Sequence, residues 1–538
     1  MIMILILLML IFFLIFFLIF FFFNLKFIFS YWLMNLFSFK FIMMIFIDKY
    51  SLFFSLIILL ISLFLMFYSL FYVGMDFLFL ILIFSFVLSM ILLVHSIDLF
   101  MLMMLWDMIG MISFFLILYY KNKSSLDMSI LVIFMNRFSD LMVIFMFILS
   151  LDLSGAGMLM LSLNLLDYYL FFFSLMLKSS QFPLNLWLPS AMVAPIPVSA
   201  LVHSSTLVTL GVYMVFRFMN FFNFFFILNI SFLSLIYFSL KMVYVNDLKK
   251  IMAFSTMNNL SMMMFFLFMH MHMYMYMYMI IHALFKSLLF LCVGSMMYSN
   301  FDIQDIRLMG MVVYFLPLSS YLFYMGVLFM NGMFYLSMFF CKDYFMDLFI
   351  YLKFKNFFFF FFFFFFSLIY SLKLYFFFFL NFFNLSYKFM NFENFNMIIS
   401  KLLLFMVNLI VLKFMTLYFF FNELMYFCLV LKLIYFNLLS FVLILTMEFI
   451  YSIKLMNYYF FIFLDNYLMV IKFYLMNFIY VIYDLNKVLL NWMELINFNI
   501  LIMILSYLMH LISFYLKMSF VFMMFYLVIL LNLFFFSC

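Results

Sequence analysis

Residues 178–218 read KSSQFPLNLWLPSAMVAPIPVSALVHSSTLVTLGVYMVFRF and hold four of the chain's five prolines, three of its six alanines and one of its three arginines. Long apolar runs recur on either side, so this window interrupts what otherwise reads as nearly continuous apolar helix. It places a lysine (Lys178), a histidine (His203) and the prolines Pro183, Pro189, Pro195 and Pro197 inside that run. Ionisable groups beside a helix break in an apolar surround point to ion transport through lipid.

The rest of the chain fits a lipid solvent. Of its 538 residues 73% are hydrophobic and 8% charged, with mean hydropathy +1.38. Closed transmembrane barrels need short alternating strands, whereas these runs are long and apolar all round, so helices must satisfy the backbone. The expected fold is an all-α polytopic transmembrane bundle, on the order of 14–16 spans at ~20 residues each. The opening run, residues 1–23, has no basic n-region or small-residue cleavage site and reads as a first span rather than a removable leader.

The four cysteines (Cys292, Cys341, Cys428, Cys538) are too scattered for an iron–sulfur ligand set or a CxxC pair, so neither metal nor disulfide is expected. The formal charge of +6 is spread thinly, which suits loop lysines beside a bilayer and argues against a nucleic-acid partner. Phe (100), Met (60) and Tyr (37) abound while Gly (9) and Pro (5) are scarce, the split between AT-rich and GC-rich codons. An AT-rich organelle genome would produce it.

All glycines and prolines lie between Gly74 and Gly332. Small residues let helices approach closely, so this region is the expected working core. The division read from composition is 1–75, N-terminal spans; 76–350, the core; 351–449, further spans; 450–498, a lateral amphipathic helix along the membrane; and 499–538, a terminal anchor. The lateral helix is inferred from charges spaced along an apolar stretch, among them Lys454, Asp465, Lys472, Asp484, Lys487 and Glu494.

Charges at mid-bilayer cost about 2.5–3.5 kcal/mol each on insertion scales and are functional candidates for that reason. Five stand out: Asp107 in MLWDMIG, Lys178, His203 in VSALVHSSTLV, Lys286 in IIHALFKSLLF and Lys342 in FFCKDYF. Each could instead snorkel to the interface or pair locally, and Lys342 has Asp343 as a neighbour. His282 and Lys286 are spaced i, i+4 and share a helix face, a short proton-transfer pair. An amine away from water favours its neutral form and a nearby carboxylate restores the charge, so a moving carboxylate such as Asp107 would load or unload a lysine. Asp140 shares a turn with Arg137 and either pairs with it or joins the path. Lys249 and Lys250 after Asp247, and Asp305 with Arg307, read as loop-to-helix junctions.

At these residues the chain resembles the antiporter-like membrane subunits of mitochondrial NADH:ubiquinone oxidoreductase (respiratory complex I). The stretch KSSQFPLNLWLPSAMVAPIPVSALVHSSTLV carries most of the resemblance, and PIPVSALVHSST has the form of the family's subunit 5 branch. LWDMIGMISFFLILYY, NRFSD, NDLKKIMAFST, HALFKSLLFLCVGSMMY, QDIRLMG and FFCKDYFMD follow the family's order over roughly residues 50–350. The resemblance implies an antiporter-like fold with discontinuous helices and a proton path. In it Asp107 modulates the first half-channel, Lys178 sits on a broken helix, His203 connects, Lys286 is central and Lys342 lies near the exit. It implies no cofactor in this chain, with NADH, FMN, iron–sulfur clusters and ubiquinone used elsewhere in the assembly. The implied partners are other membrane-arm subunits and the lipid of the mitochondrial inner membrane. One departure is local: where the family has a proline and a glycine before the second broken-helix lysine, this chain has Phe334 and Met338. A stand-alone cation/proton antiporter component and a structural subunit without pumping are the rival functions.

Overall fold

The computed structural model describes residues 2–23, 26–36, 39–154, 165–218, 225–300, 302–309, 312–332, 338, 341–342, 368–375 and 395–422. All of them belong to the first of two units, Met1–Leu464 and Asp465–Cys538. The expected lateral helix at 450–498 and anchor at 499–538 lie outside the described residues, as does most of 351–449.

The helices are α1 (Ile2–Phe23), α2 (Lys49–Tyr72), α3 (Phe77–His95), α4 (Leu99–Leu118), α5 (Lys123–Ser154) and α6 (Leu165–Lys178). Two short pieces follow, α7 (Trp187–Ser190) and α8 (Ile196–Val198), then a π-helical turn, Ser199–Thr206, which runs into α9 (Leu207–Phe218). After these come α10 (Phe225–Tyr244), α11 (Leu248–Phe268), α12 (His272–Ser299), α13 (Val312–Phe315), α14 (Pro317–Asn331) and α15 (Phe395–Asn422). Among the described residues seven helical segments are long and apolar enough to cross a membrane, and four shorter apolar helices accompany them. The chain is a multi-pass, mainly helical membrane protein.

Aspartate marks where several of these helices begin. Asp48, Asp76, Asp98 and Asp247 are the N-caps of α2, α3, α4 and α11, each setting a carboxylate at the positive end of a helix dipole. At α2 the cap is reciprocal: Ser51 N–H donates to Asp48 Oδ1 at 2.8 Å and Asp48 N–H to Ser51 Oγ at 3.0 Å. Within the spans serine hydroxyls donate one turn back, as Ser55 does to the Leu52 carbonyl (2.9 Å) and Ser62 to that of Leu59 (2.8 Å). Such serines need no other partner in an apolar surround.

One element departs from the helical expectation for residues 1–75. Between α1 and α2 the chain forms an antiparallel ribbon of β1 (Phe27–Leu36) and β2 (Phe39–Ile47), with Phe27 opposite Ile47 and a bulge between Trp32 and Met34. Lys26, Ser30, Asn35 and Lys40 recur too often here for the ~20-residue apolar run that a span requires, and the Phe, Ile, Tyr and Trp between them suit a pleated strand. The Asp98 carboxylate accepts from the Met44 N–H, and Ile97 N–H, in the link between α3 and α4, donates to the Met44 carbonyl at 3.4 Å, so the ribbon is pinned to the start of α4.

Inner and outer helices differ in what they bury. The segment from Ile196 to Phe218 and α12 are wholly buried over their apolar windows, whereas α4 and α5 bury only 44% and 39%. On α4 the exposed Met104, Met108, Met111 and Phe115 recur every three or four residues and make one outward stripe, the face a lipid-bathed helix presents. α12 packs against α2, α9, α11, α14, α15 and the π turn, so its Lys286 is carried into the interior.

Candidate functional site

The first helix break begins where α6 ends. Gln181 N–H donates to the Met176 carbonyl (3.1 Å) and Ser180 N–H to that of Leu177 (3.2 Å), with Ser180 in the left-handed region at φ 51°. These two bonds are a Schellman cap built on serine in place of the usual glycine. The Trp187 indole adds a third contact, donating to the Leu177 carbonyl at 2.9 Å. The orphan carbonyls at this end of α6 are thus met without Lys178, the last residue of the helix. Its amine instead lies over the Trp106 ring, 4.9 Å from the centroid.

Prolines shape the far side of the break. Pro183 lies in the gap, Pro189 in the first turn of α7 where its missing N–H costs nothing, and Ala194 before Pro195 is extended (φ −58°, ψ 159°). Pro195 then caps α8, Pro197 is its second residue, and the chain enters the π turn. There Ser205 Oγ donates to the Ala200 and Leu201 carbonyls (3.1 and 3.0 Å) and Thr206 Oγ1 to that of Leu201 (2.6 Å), while Leu207 N–H reaches back five residues to Val202. Hydroxyls that return to carbonyls four and five positions back widen a helix locally. His203 sits in this turn, 0% exposed, its ring edge-on to Trp187 with centroids 6.1 Å apart and neither nitrogen holding a protein hydrogen bond. The neighbouring Ser199, Ser204 and Thr206 hydroxyls donate to backbone carbonyls.

Gly211 of α9 holds the two pieces together. A Cβ there would stand 3.1 Å from the Leu175 carbonyl oxygen and the Ser179 nitrogen, closer than most real Cβ contacts, so glycine eases the approach of α9 to the end of α6.

The acidic residues gather around one guanidinium. Arg137 of α5 pairs with Asp107 of α4 and, at 3.5 Å, with Asp140 one turn along its own helix. The Arg137 and Asp107 side chains are 41% and 45% exposed, so Asp107 is on the bundle's outside and not deep within it. Asp140 is more enclosed, and its charge, then that of Asp107, acts on Lys178. Sequence reasoning ranked Asp107 above Asp140 because it has longer apolar flanks; the packing of α5 against α6 gives Asp140 the inner position.

On α12, His282 and Lys286 share a face as their spacing requires, and both are buried. Lys286 Nζ donates to Ser255 Oγ on α11, and both ring nitrogens of His282 lack protein partners. Lys342 acts on Lys286 electrostatically.

The second break lies before Lys342. α14 ends at Asn331, and Gly332 follows in the left-handed conformation (φ 76°, ψ 49°), its N–H returning to the Phe329 carbonyl at 3.2 Å. Lys342 Nζ donates to the carbonyls of Met330 (2.8 Å) and Asn331 (3.1 Å), so a cation meets the negative end of the helix dipole. The break that the missing proline put in question is made by a glycine. Asp343 and Phe334 lie outside the described residues.

Several buried groups carried no sequence prediction. Lys373 donates to the Val243 and Val245 carbonyls at the end of α10 (2.8 and 2.6 Å). Arg217 pairs with Asp48 at 3.1 Å and donates to the Tyr213 hydroxyl. Lys401 of α15 donates to Ser295 Oγ at 3.0 Å. Lys249, read as a loop residue, is buried and donates to the Ala194 carbonyl at 3.3 Å, whereas Lys250 pairs with Asp247 at the surface as expected. Lys401 bore the same signal as Lys286, one charge with apolar flanks on both sides. Among the described residues no three His, Cys, Asp or Glu side chains converge as a metal site would need.

Residues 96–369 match the transmembrane family described as NADH:quinone oxidoreductase/Mrp antiporter. The chain is 37% identical over 258 residues to NADH-ubiquinone oxidoreductase chain 5 of Locusta migratoria, covering 45% of this chain and 44% of the relative. It is 40% identical over 205 residues to the protein of that name from Anopheles gambiae, covering 37% and 35%. The chain thus spans under half the length of these curated relatives. Among solved structures it is similar to a chain of the membrane-bound sulfane sulfur reductase, an archaeal respiratory membrane complex (TM-score 0.63, 17% identity, 70% of this chain and 81% of that one). It is also similar to a chain of the Mrp complex from Dietzia sp. DQ12-45-1b (TM-score 0.58, 15% identity, 63% and 67%). At such identity these two show the fold alone, which is antiporter-like.

Proposed function

The chain belongs to the NADH:quinone oxidoreductase/Mrp antiporter membrane family, and from that premise we propose that it carries protons across the mitochondrial inner membrane. It does so as the subunit 5-type component of a respiratory NADH:ubiquinone oxidoreductase, beside other membrane-arm subunits. Electron transfer from NADH through FMN and iron–sulfur clusters to ubiquinone belongs to those partners. The observation that carries this reading is the set of four ionisable side chains, Lys178, His203, Lys286 and Lys342, each 0–4% exposed inside an apolar bundle, two of them at helix breaks. Groups so costly to bury, placed where backbone is already broken, suit a path and not a scaffold.

Charge arriving from a neighbouring subunit perturbs the Asp107–Arg137–Asp140 cluster, which changes how strongly Lys178 holds its proton. The proton passes to His203, which can accept on one ring nitrogen and release from the other. Lys286, beside His282, takes it next, and Lys342 passes it on. Water links these groups, because among the described residues Lys178, His203 and Lys286 do not hydrogen-bond one another.

The test uses the assembled complex in liposomes. Lys286→Met is expected to leave NADH-driven quinone reduction running with fewer protons moved per NADH. Undiminished proton yield would reject the pump and leave the structural-subunit alternative. Co-migration with an NADH-oxidising complex on a native gel separates the proposal from a stand-alone antiporter.

A further inference from the structure

The route above uses Lys178 but not the ring on which its amine lies. Trp106 of α4 is 2% exposed, and its side chain meets two neighbouring helices at once. Its face carries the Lys178 amine of α6, 4.9 Å from the centroid, while its indole Nε1–H donates to Ser139 Oγ on α5 at 3.4 Å. Ser139 Oγ in turn stands 3.4 Å from Asp140 Oδ1. Asp107, the next residue along α4, pairs with Arg137. One indole thus touches the amine with its face and, with its edge, the hydroxyl beside a carboxylate.

The charged groups that act on Lys178 are Asp140, Asp107 and Arg137, all on α4 and α5. Both carboxylates pair with Arg137, and among the described residues neither makes an ion pair with Lys178. A direct pair would hold the ammonium against deprotonation, because breaking it leaves a buried charge without its partner. A ring face holds the same group more loosely and tells its two states apart. The quadrupole attracts the ammonium, and the neutral amine carries no charge for it to attract.

We propose that Trp106 is a positioning residue for the loading of Lys178, its ring face seating the ammonium in the field of Asp140 and Asp107 but out of ion-pairing contact with either. This deepens the proton-carrying function proposed above and rests on it. Once Lys178 has given up its proton along the route already described, the ring no longer holds the amine. Since the indole N–H is tied to Ser139, the ring's place is set by the helix that carries Asp140 and Arg137, and the seat and the carboxylates shift together. A ring that only filled space would, on removal, lower transport by the same factor at every pH.

In liposomes carrying the assembled complex, protons moved per NADH are measured against pH for the wild type, Trp106→Phe and Trp106→Leu. Phenylalanine keeps a weaker ring face and loses the N–H, and leucine loses both. The pH at which the yield falls on the alkaline side is expected to move down by about one unit in Trp106→Leu, a tenfold loss in how well the ammonium is held, and by less in Trp106→Phe. An unmoved limb, a limb moved upward, or a yield lowered by one factor at every pH would overturn the positioning role. Lys178→Arg, run alongside, separates that failure from failure of the path. Full yield from Lys178→Arg removes the underlying function, whereas lost yield there with an unmoved Trp106→Leu limb leaves the path standing and removes the part given to Trp106. Should Trp106→Leu not assemble, Trp106→Phe decides: a limb moved downward supports the proposal and an unmoved one overturns it.

Discussion

Two helices stop at a buried lysine, and they stop by different means. At the first break the lysine is the last residue of the helix that ends, and the carbonyls it might have served are taken by Ser180, Gln181 and Trp187. Lys178 is left to lie on Trp106 within the fields of Asp140 and Asp107. At the second break the lysine comes from the following piece of chain and itself serves the Met330 and Asn331 carbonyls. The first lysine lies in the field of carboxylates on neighbouring helices and the second binds a fixed helix end. An ammonium has three donors and loses one on giving up a proton, so Lys342 can keep both carbonyl bonds in either state. On the proposed path Lys342 would pass protons at constant geometry, and Lys178 would respond to a change in the neighbouring carboxylates.

The largest effect should come from removing deprotonation while keeping charge. Lys178→Arg and Lys342→Arg are each expected to lower proton transport by about 100-fold, the scale of a lost acid–base group. Lys342→Arg should still assemble normally, since guanidinium N–H groups reach the same two carbonyls. Proton uptake measured against complex yield checks both. Normal transport by either variant would break the parallel between the two lysines.

Next in size is Gly211→Val, which acts on the first break only. Its branched side chain would press on the Leu175 carbonyl and Ser179, where a Cβ is already 3.1 Å from backbone. The expected cost is about 1–3 kcal/mol, seen as a lower thermal midpoint of the assembled complex, with transport falling because the end of α6 moves.

How much of this could be read in advance depended on which residues made each break. The first was legible because prolines are unambiguous helix breakers, and apolar flanks singled out Lys178 and Lys286 by the same logic. The second was not, because no proline marks it: Phe334 stands at the expected position, and Gly332, two residues earlier, ends α14. The π turn at His203 also escaped, since it arises from serine and threonine hydroxyls folding back on carbonyls, a preference that composition does not reveal. Asp107 looked internal from its apolar neighbours, yet a lipid-facing stripe is apolar too, and only packing separates outside from inside. The β1–β2 ribbon follows directly on the apolar α1, and only Lys26, Ser30, Asn35 and Lys40 mark it off from the ~20 apolar residues that a span requires.

Gly332→Ala is expected to cost about 1 kcal/mol, the price of placing a Cβ in the left-handed region. The loss should fall on the second break alone, measured as a lower thermal midpoint and weaker transport with the first break unaffected. A larger loss of transport than of stability would show that Gly332 sets the carbonyl geometry that Lys342 reads.

The smallest effect has the opposite sign and bears on the same contrast. Ser180 occupies the position that Gly332 fills at the other break, and it pays twice for being serine: its φ of 51° is strained for an L residue, and its buried hydroxyl has no protein partner. Ser180→Gly removes both costs, while glycine's greater freedom in the unfolded chain takes part of the gain back. A net stabilisation of a few tenths of a kcal/mol is expected, read as a small rise in the thermal midpoint with proton transport unchanged. If transport fell while stability rose, the strain at Ser180 would itself be holding Lys178 over Trp106, and the first break would be a positioning device as well as a helix end.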